Sequence, residues 1–117
     1  PEELIELAKV TAEYEGALYS THMRSEGDRV VESEVETLTL GAEAGIPVVI
    51  SHHKVAGKHN QGKSVDTLRL IDEAKARGQK VYLDQYPYDG GGTSLMSAMP
   101  PRYAPLSTNI RCAWTPS

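Results

Sequence analysis

The chain has 117 residues, 39% hydrophobic and 24% charged, with a formal net charge of −4. This is ordinary globular composition with enough chain for one small domain. It offers no basic footprint for nucleic acid and no apolar run near the roughly 20 residues of a membrane span, so neither partner is expected.

The core must be built from Val, Ile, Leu, Ala and Tyr, because Phe is absent and Trp occurs once. Hydrophobic spacing predicts a first helix over about 2–14, with Leu4, Leu7, Ala8 and Ala12 on one face. Glu2 and Glu3 suit its positive N-terminus, and Gly16 is a natural terminator. Residues 17–22 follow as a short strand, Ala-Leu-Tyr-Ser-Thr-His. A second helix is predicted over about 29–43, where Val31, Val35, Leu38 and Ala42 make one apolar stripe before Gly45. Its strand is Pro47-Val48-Val49-Ile50-Ser51-His52. A third helix over about 64–77 turns Val65, Leu68, Ile71 and Ala74 inward and stops at Gly78, and residues 80–84 form the third strand.

The strands are short and continuously apolar, the pattern of a parallel sheet covered on both faces. Helices between them supply right-handed crossovers. The repeat of roughly thirty residues fits one βα unit, so the expected fold class is α/β: three βα repeats with a short parallel sheet, from a doubly wound sheet or a (β/α)8 barrel. After Tyr88 the character changes. Asp89-Gly90-Gly91-Gly92-Thr93 reads as a loop, and four of the seven prolines (Pro100, Pro101, Pro105, Pro116) break any later period. The expected organisation is an α/β unit over 1–98 and an irregular tail over 99–117. The single Cys112 cannot close an internal disulfide and fits a cytoplasmic protein. Pro1-Glu2-Glu3 opens neither on Met nor on a signal-peptide pattern, and points to a segment excised from a longer chain.

His22 and His52 carry the sharpest chemical signal. Each ends an apolar strand, one βα repeat apart, so neighbouring strands bring both imidazoles to the C-terminal sheet edge, where parallel α/β folds place active sites. Imidazole is a common zinc ligand, and a hydrogen-bonded strand-end histidine is the plain alternative. Successive strand residues face opposite ways, so only one of His52 and His53 can share that edge. His59 reads as a solvated loop residue. Asp84 is a carboxylate near the same edge or an ordinary turn residue. Lys54, Arg24, Arg29 and Lys58 lie on loops leaving the edge; clustered, they favour a carboxylate-bearing ligand, and otherwise they are surface charge. The loop Gly57–Gly62 lacks Walker spacing, Ser20, Ser51 and Ser94 lie in no nucleophile elbow, and Cys112 falls in the proline-broken tail.

Tyr19-Ser20-Thr21-His22-Met23-Arg24-Ser25-Glu26 resembles the fifth-strand motif of the N-acyl-D-amino-acid deacylases (D-aminoacylases) of the amidohydrolase superfamily. Val49-Ile50-Ser51-His52-His53-Lys54 resembles their sixth-strand motif. Gly62-Lys63-Ser64-Val65-Asp66, Asp84-Gln85-Tyr86-Pro87-Tyr88 and Gly91-Gly92-Thr93-Ser94 follow in the family's order. The resemblance covers about residues 1–101. It implies a distorted (β/α)8 barrel with zinc at its C-terminal face, where zinc activates a water and polarises the acyl amide carbonyl. By the same resemblance His22 and His52 are metal ligands, Lys54 and Tyr88 hold the substrate carboxylate, and Ser94 is a weaker match to that role. The family's first-strand His-x-His pair, its earlier further ligand and its catalytic aspartate have no counterpart here, and Asp84 does not take the last role. The expectation is therefore a segment of a zinc hydrolase acting on N-acyl amino acids, inactive alone and self-associating through open sheet edges. The competing readings are a small module that holds an anionic ligand without catalysis, and a structural remnant.

Overall fold

A computed structural model describes residues 2–92 of the chain. The elements are α1 (Glu2–Thr11), β1 (Tyr19–Thr21), α2 (Val30–Ala44), β2 (Val48–Ile50), a one-turn 3₁₀ helix (Lys58–Asn60), α3 (Lys63–Ala76) and β3 (Val81–Leu83). The chain divides into two compact units, Pro1–Tyr86 and Pro87–Ser117. All helices and strands named here lie in the first.

The strands pair in the order β1-β2-β3, both pairs parallel, with Tyr19, Val48 and Val81 in one row and Thr21, Ile50 and Leu83 two rows on. The expected α/β arrangement with a short parallel sheet is therefore observed. The expectation of two covered faces is not met among the described residues. One face buries Val48, Ile50 and Val81 with Val30, Leu38, Ile71 and Ala74. The other presents exposed Ser20, half-buried Val49 and Tyr82, which is 57% exposed. A run of consecutive apolar residues is also what a strand shows when its second face is apolar but left open, and sequence does not separate the two cases.

The helices form where expected but rotate relative to the predicted faces. α1 ends at Thr11, earlier than expected: Glu13 and Tyr14 donate to carbonyls three residues back (3.3 and 3.1 Å), and the Thr11 hydroxyl bonds the Leu7 carbonyl at 3.0 Å. Ala8 is its buried residue, packed with Leu40, Ala44 and Ile46, while Leu4 and Leu7 are exposed. In α2 the buried residues are Val30, Ser33, Glu34, Thr37, Leu38, Leu40, Gly41 and Ala44, and Val35 is exposed. In α3, Thr67, Ile71 and Ala74 are buried, while Val65 and Leu68 are exposed. Apolarity alone selects the largest side chains; the seam of α2 instead selects small and polar ones, because that helix lies very close to the sheet.

Gly41 shows how close. A Cβ there would overlap Val48 Cγ2 and come within 2.8 Å of Gln79 Nε2, the amide that donates to the Leu38 carbonyl at 2.8 Å. Gly41→Ala is expected to destabilise the fold by about 1–3 kcal/mol despite alanine's better helix propensity. Thermal unfolding of the variant checks it; a raised midpoint would show that α2 can lift off the sheet without cost. Gly45 ends α2 in the left-handed region at φ 68°, letting Ile46 donate to the Gly41 carbonyl at 3.1 Å and turn the chain into β2.

Candidate metal centre

The C-terminal edge of the sheet is where β1 and β2 release His22 and His52. The ladder runs one bond past the strands, from Ser51 N to the Thr21 carbonyl at 2.9 Å, so the two exits stay aligned. Asp84, just past β3, then fixes the turn. Its carboxylate accepts from His52 N at 2.7 Å and its carbonyl from His53 N at 2.9 Å. His52 sits at φ 44°, the one non-glycine in the left-handed region among the described residues. Asp84 is thus a backbone anchor for the histidine pair, a form of the turn role.

The turn sends the two histidines opposite ways. Nε2 of His52 meets Nδ1 of His22, with ring centroids 4.4 Å apart and planes 24° apart. His53 is buried, its Nε2 3.3 Å from Oε2 of the fully buried Glu34 on α2. Neither Glu34 oxygen nor His53 Nε2 makes a well-directed hydrogen bond. Two converging imidazole nitrogens, each offering a lone pair in the tautomer with its proton on the other nitrogen, suit a shared divalent cation such as zinc. They fill only two of its usual four positions: among the described residues no group of three or more His, Cys, Asp or Glu is placed to hold a metal.

Glu26, in the loop after β1, joins this cluster and had no role in the sequence reading. Its Oε2 lies 2.5 Å from Lys54 Nζ, and its Oε1 2.6 Å from His52 Nδ1. Lys54 Nζ is also 2.9 Å from His52 Nδ1 and 5.6 Å from the centre of the Tyr86 ring. The ordered motif Tyr-Pro-Tyr contained Tyr86, but only Tyr88 was singled out. Tyr88 belongs to the second unit, where it is exposed. Ser94 and Cys112 lie outside the described residues.

The remaining loop cations do not cluster with Lys54. Arg24 forms a two-pronged ion pair with Glu36 on α2, both contacts 2.9 Å. The guanidinium's hydrogen bonds hold the Glu36 carboxyl below its ordinary value of 4.5. A depressed folded value means that this stabilisation is present above 4.5 and lost as pH falls through the folded value. Acid unfolding should therefore lose part of its pH dependence in Arg24→Ala, read from denaturant midpoints between neutral pH and pH about 3; identical profiles would count against the pair. His59, expected in solvent, is exposed but lies 2.5 Å from the Asp28 carboxylate, which also accepts from Asn60 at 3.0 Å. Those bonds, Asn60's first, hold the Asp28 carboxyl low and tie the loop after β1 to the loop after β2. Ala56 N adds a bond to the Glu26 carbonyl at 2.7 Å. Arg29 and Lys58 are exposed.

No protein-family model matches the chain. It is 50% identical over 94 residues to the D-aminoacylase of Alcaligenes xylosoxydans xylosoxydans, covering 80% of this chain and 19% of that protein. The chain is homologous to a segment of the D-aminoacylases. The N-acyl-D-glutamate deacylase of the same organism is 43% identical over 113 residues, covering 97% of this chain and 22% of the relative. Among solved structures, a D-aminoacylase described as defining a novel subset of amidohydrolases superposes with TM-score 0.71 at 50% identity over 77% of this chain and 19% of that one. The N-acyl-D-glutamate deacylase of Bordetella bronchiseptica, solved with zinc and a phosphonate mimic of the tetrahedral intermediate, gives 0.71 at 42% identity over 74% and 18%. The chain thus spans about a fifth of the D-aminoacylases and deacylases that it matches.

Proposed function

We propose that the chain forms the part of a zinc-dependent N-acyl-D-amino-acid deacylase barrel that supplies two metal-binding histidines and a lysine for the substrate carboxylate. The convergence of His22 Nδ1 on His52 Nε2 at the C-terminal edge of two parallel strands carries this reading. Homology to a segment of D-aminoacylases supports it. Zinc, when bound, supplies Lewis acidity and an activated water for amide hydrolysis.

The chain's own groups prepare that chemistry. Asp84 holds the turn that aims His52 at His22. Lys54 stands 2.9 Å from His52 Nδ1, so a carboxylate that it held would lie beside the metal edge. Tyr88 and Ser94 keep the carboxylate-holding role only as the family resemblance implies it. Further strands of the barrel would flank β1 and β3 and cover the open sheet face. Without them the chain is inactive and pairs with copies of itself through those edges, which sedimentation of the isolated chain would detect as a dimer or larger species. We also place it in the cytoplasm. A free-standing anion-binding module would need Arg24 and Lys54 to converge on one ligand, and Arg24 is instead held by Glu36 on α2.

Titration of the chain with zinc tests the metal edge. His22→Ala and His52→Ala are each expected to weaken binding at least about tenfold, the scale seen when a metal site loses even supporting groups. Undiminished binding in both variants would remove the assignment.

A further inference from the structure

Glu26 stands between two groups that the proposed function uses separately. Its Oε1 is buried, makes no well-directed hydrogen bond, and lies 2.6 Å from His52 Nδ1. Its Oε2 lies 2.5 Å from Lys54 Nζ. Lys54 Nζ is itself 2.9 Å from the same imidazole nitrogen. An imidazole nitrogen can accept from the ammonium or donate to the carboxylate, and cannot do both. The three groups therefore have two arrangements: Nδ1 bare and accepting from Lys54, or Nδ1 protonated and donating to Glu26.

Resting on the metal-edge reading above, we infer that Glu26 is a positioning residue that holds His52 with its proton on Nδ1, leaving Nε2 for the metal, and at the same time keeps Lys54 beside the site through its other oxygen. A cation on Nε2 takes that lone pair, and a neutral ring must then carry its proton on Nδ1. Oε1 acquires the donor that it lacks. Nδ1 ceases to accept from Lys54, whose ammonium keeps Oε2 and the His52 carbonyl, 3.3 Å away, and is freer to turn to an incoming carboxylate. Metal occupancy and the readiness of the carboxylate-binding lysine are coupled through one side chain. A carboxylate behind a metal-bound histidine also raises the ring's basicity and fixes its orientation.

The experiment is zinc titration of the full chain and of Glu26→Ala, Glu26→Gln and His52→Ala, with long-range ¹H–¹⁵N spectra of the imidazoles in the zinc-loaded unsubstituted chain. Glu26→Ala is expected to bind zinc about 10–100-fold more weakly. Glu26→Gln, which keeps an acceptor oxygen, recovers part of the loss. The spectra should show His52 protonated at Nδ1 and metal-bound at Nε2, a readout that holds whether or not the alanine variant folds. Zinc affinity in Glu26→Ala within twofold of the unsubstituted chain, while His52→Ala loses it, overturns the inference and leaves the metal edge standing. Zinc on Nδ1 of His52 overturns it equally. Undiminished binding in His52→Ala removes the metal edge and this inference with it.

Discussion

His53→Ala is expected to destabilise the fold by about 3–5 kcal/mol, the cost of stranding one member of a buried His–Glu pair. Glu34 is fully buried on α2, and the His53 imidazole is its nearest partner of opposite character, at 3.3 Å. Removing the ring leaves the buried Glu34 carboxyl group without its one polar neighbour. The pair is itself poorly satisfied, since neither Glu34 oxygen nor His53 Nε2 makes a well-directed hydrogen bond. Replacing both members by Leu should therefore reverse the sign, and Glu34→Leu with His53→Leu is expected to gain about 1–4 kcal/mol over the unsubstituted chain. Denaturant unfolding of the single and double variants decides it. A double variant less stable than His53→Ala would mean that the pair is held by attractions stronger than its geometry allows.

Ile50→Ala is expected to cost about 2–5 kcal/mol, with a fall in Tm on the order of 10 °C. Ile50 is fully buried in the cluster with Met23, Val30, Leu38, Val48, Ile71, Ala74 and Val81. A domain of this size holds only about 5–15 kcal/mol in all, so one such cavity removes much of it. Ile50 also leads directly into Ser51 and His52, and its carbonyl accepts from Asp84 N at 3.1 Å. Loosening β2 should therefore weaken zinc binding as well as the fold. Val49→Ala, one residue earlier on the open face, is the control: its half-buried side chain should cost much less. Equal losses at both positions would contradict a sheet with one packed and one open face.

Much of the backbone was legible. Gly45 and Gly78 marked the ends of α2 and α3 and are left-handed as a terminator requires, whereas α1 stops at Thr11, five residues before Gly16. The thirty-residue repeat gave adjacent parallel strands, and with them the meeting of His22 and His52 at one edge. The alternation rule separated His52 from His53 in principle, though which one met His22 depended on a turn set by Asp84, a residue thirty-two positions away. Helix faces were harder, because burial on α2 follows distance from the sheet. Gly41, Thr37 and Ser33 are buried for being small, and Val35 is exposed although it continued the apolar stripe. Glu26 and Tyr86 gave no periodic signal. Both lie inside the family-like motifs, and their importance rests on contacts with Lys54 and His52 from loops that sequence spacing does not fold.

The left-handed backbone at His52 governs how that position can be replaced. Residues branched at Cβ resist φ near 44°, so a valine or threonine there would force the turn open, and loss of metal could not be told from loss of the loop. Asparagine adopts this conformation more readily than most side chains and leaves the backbone bonds to Asp84 in place. In a survey of all substitutions at position 52, those that keep the protein folded should therefore be ranked by backbone tolerance, with glycine and asparagine foremost, while metal binding tracks the imidazole alone. His52→Asn would then be the substitution that silences the ligand while disturbing its surroundings least.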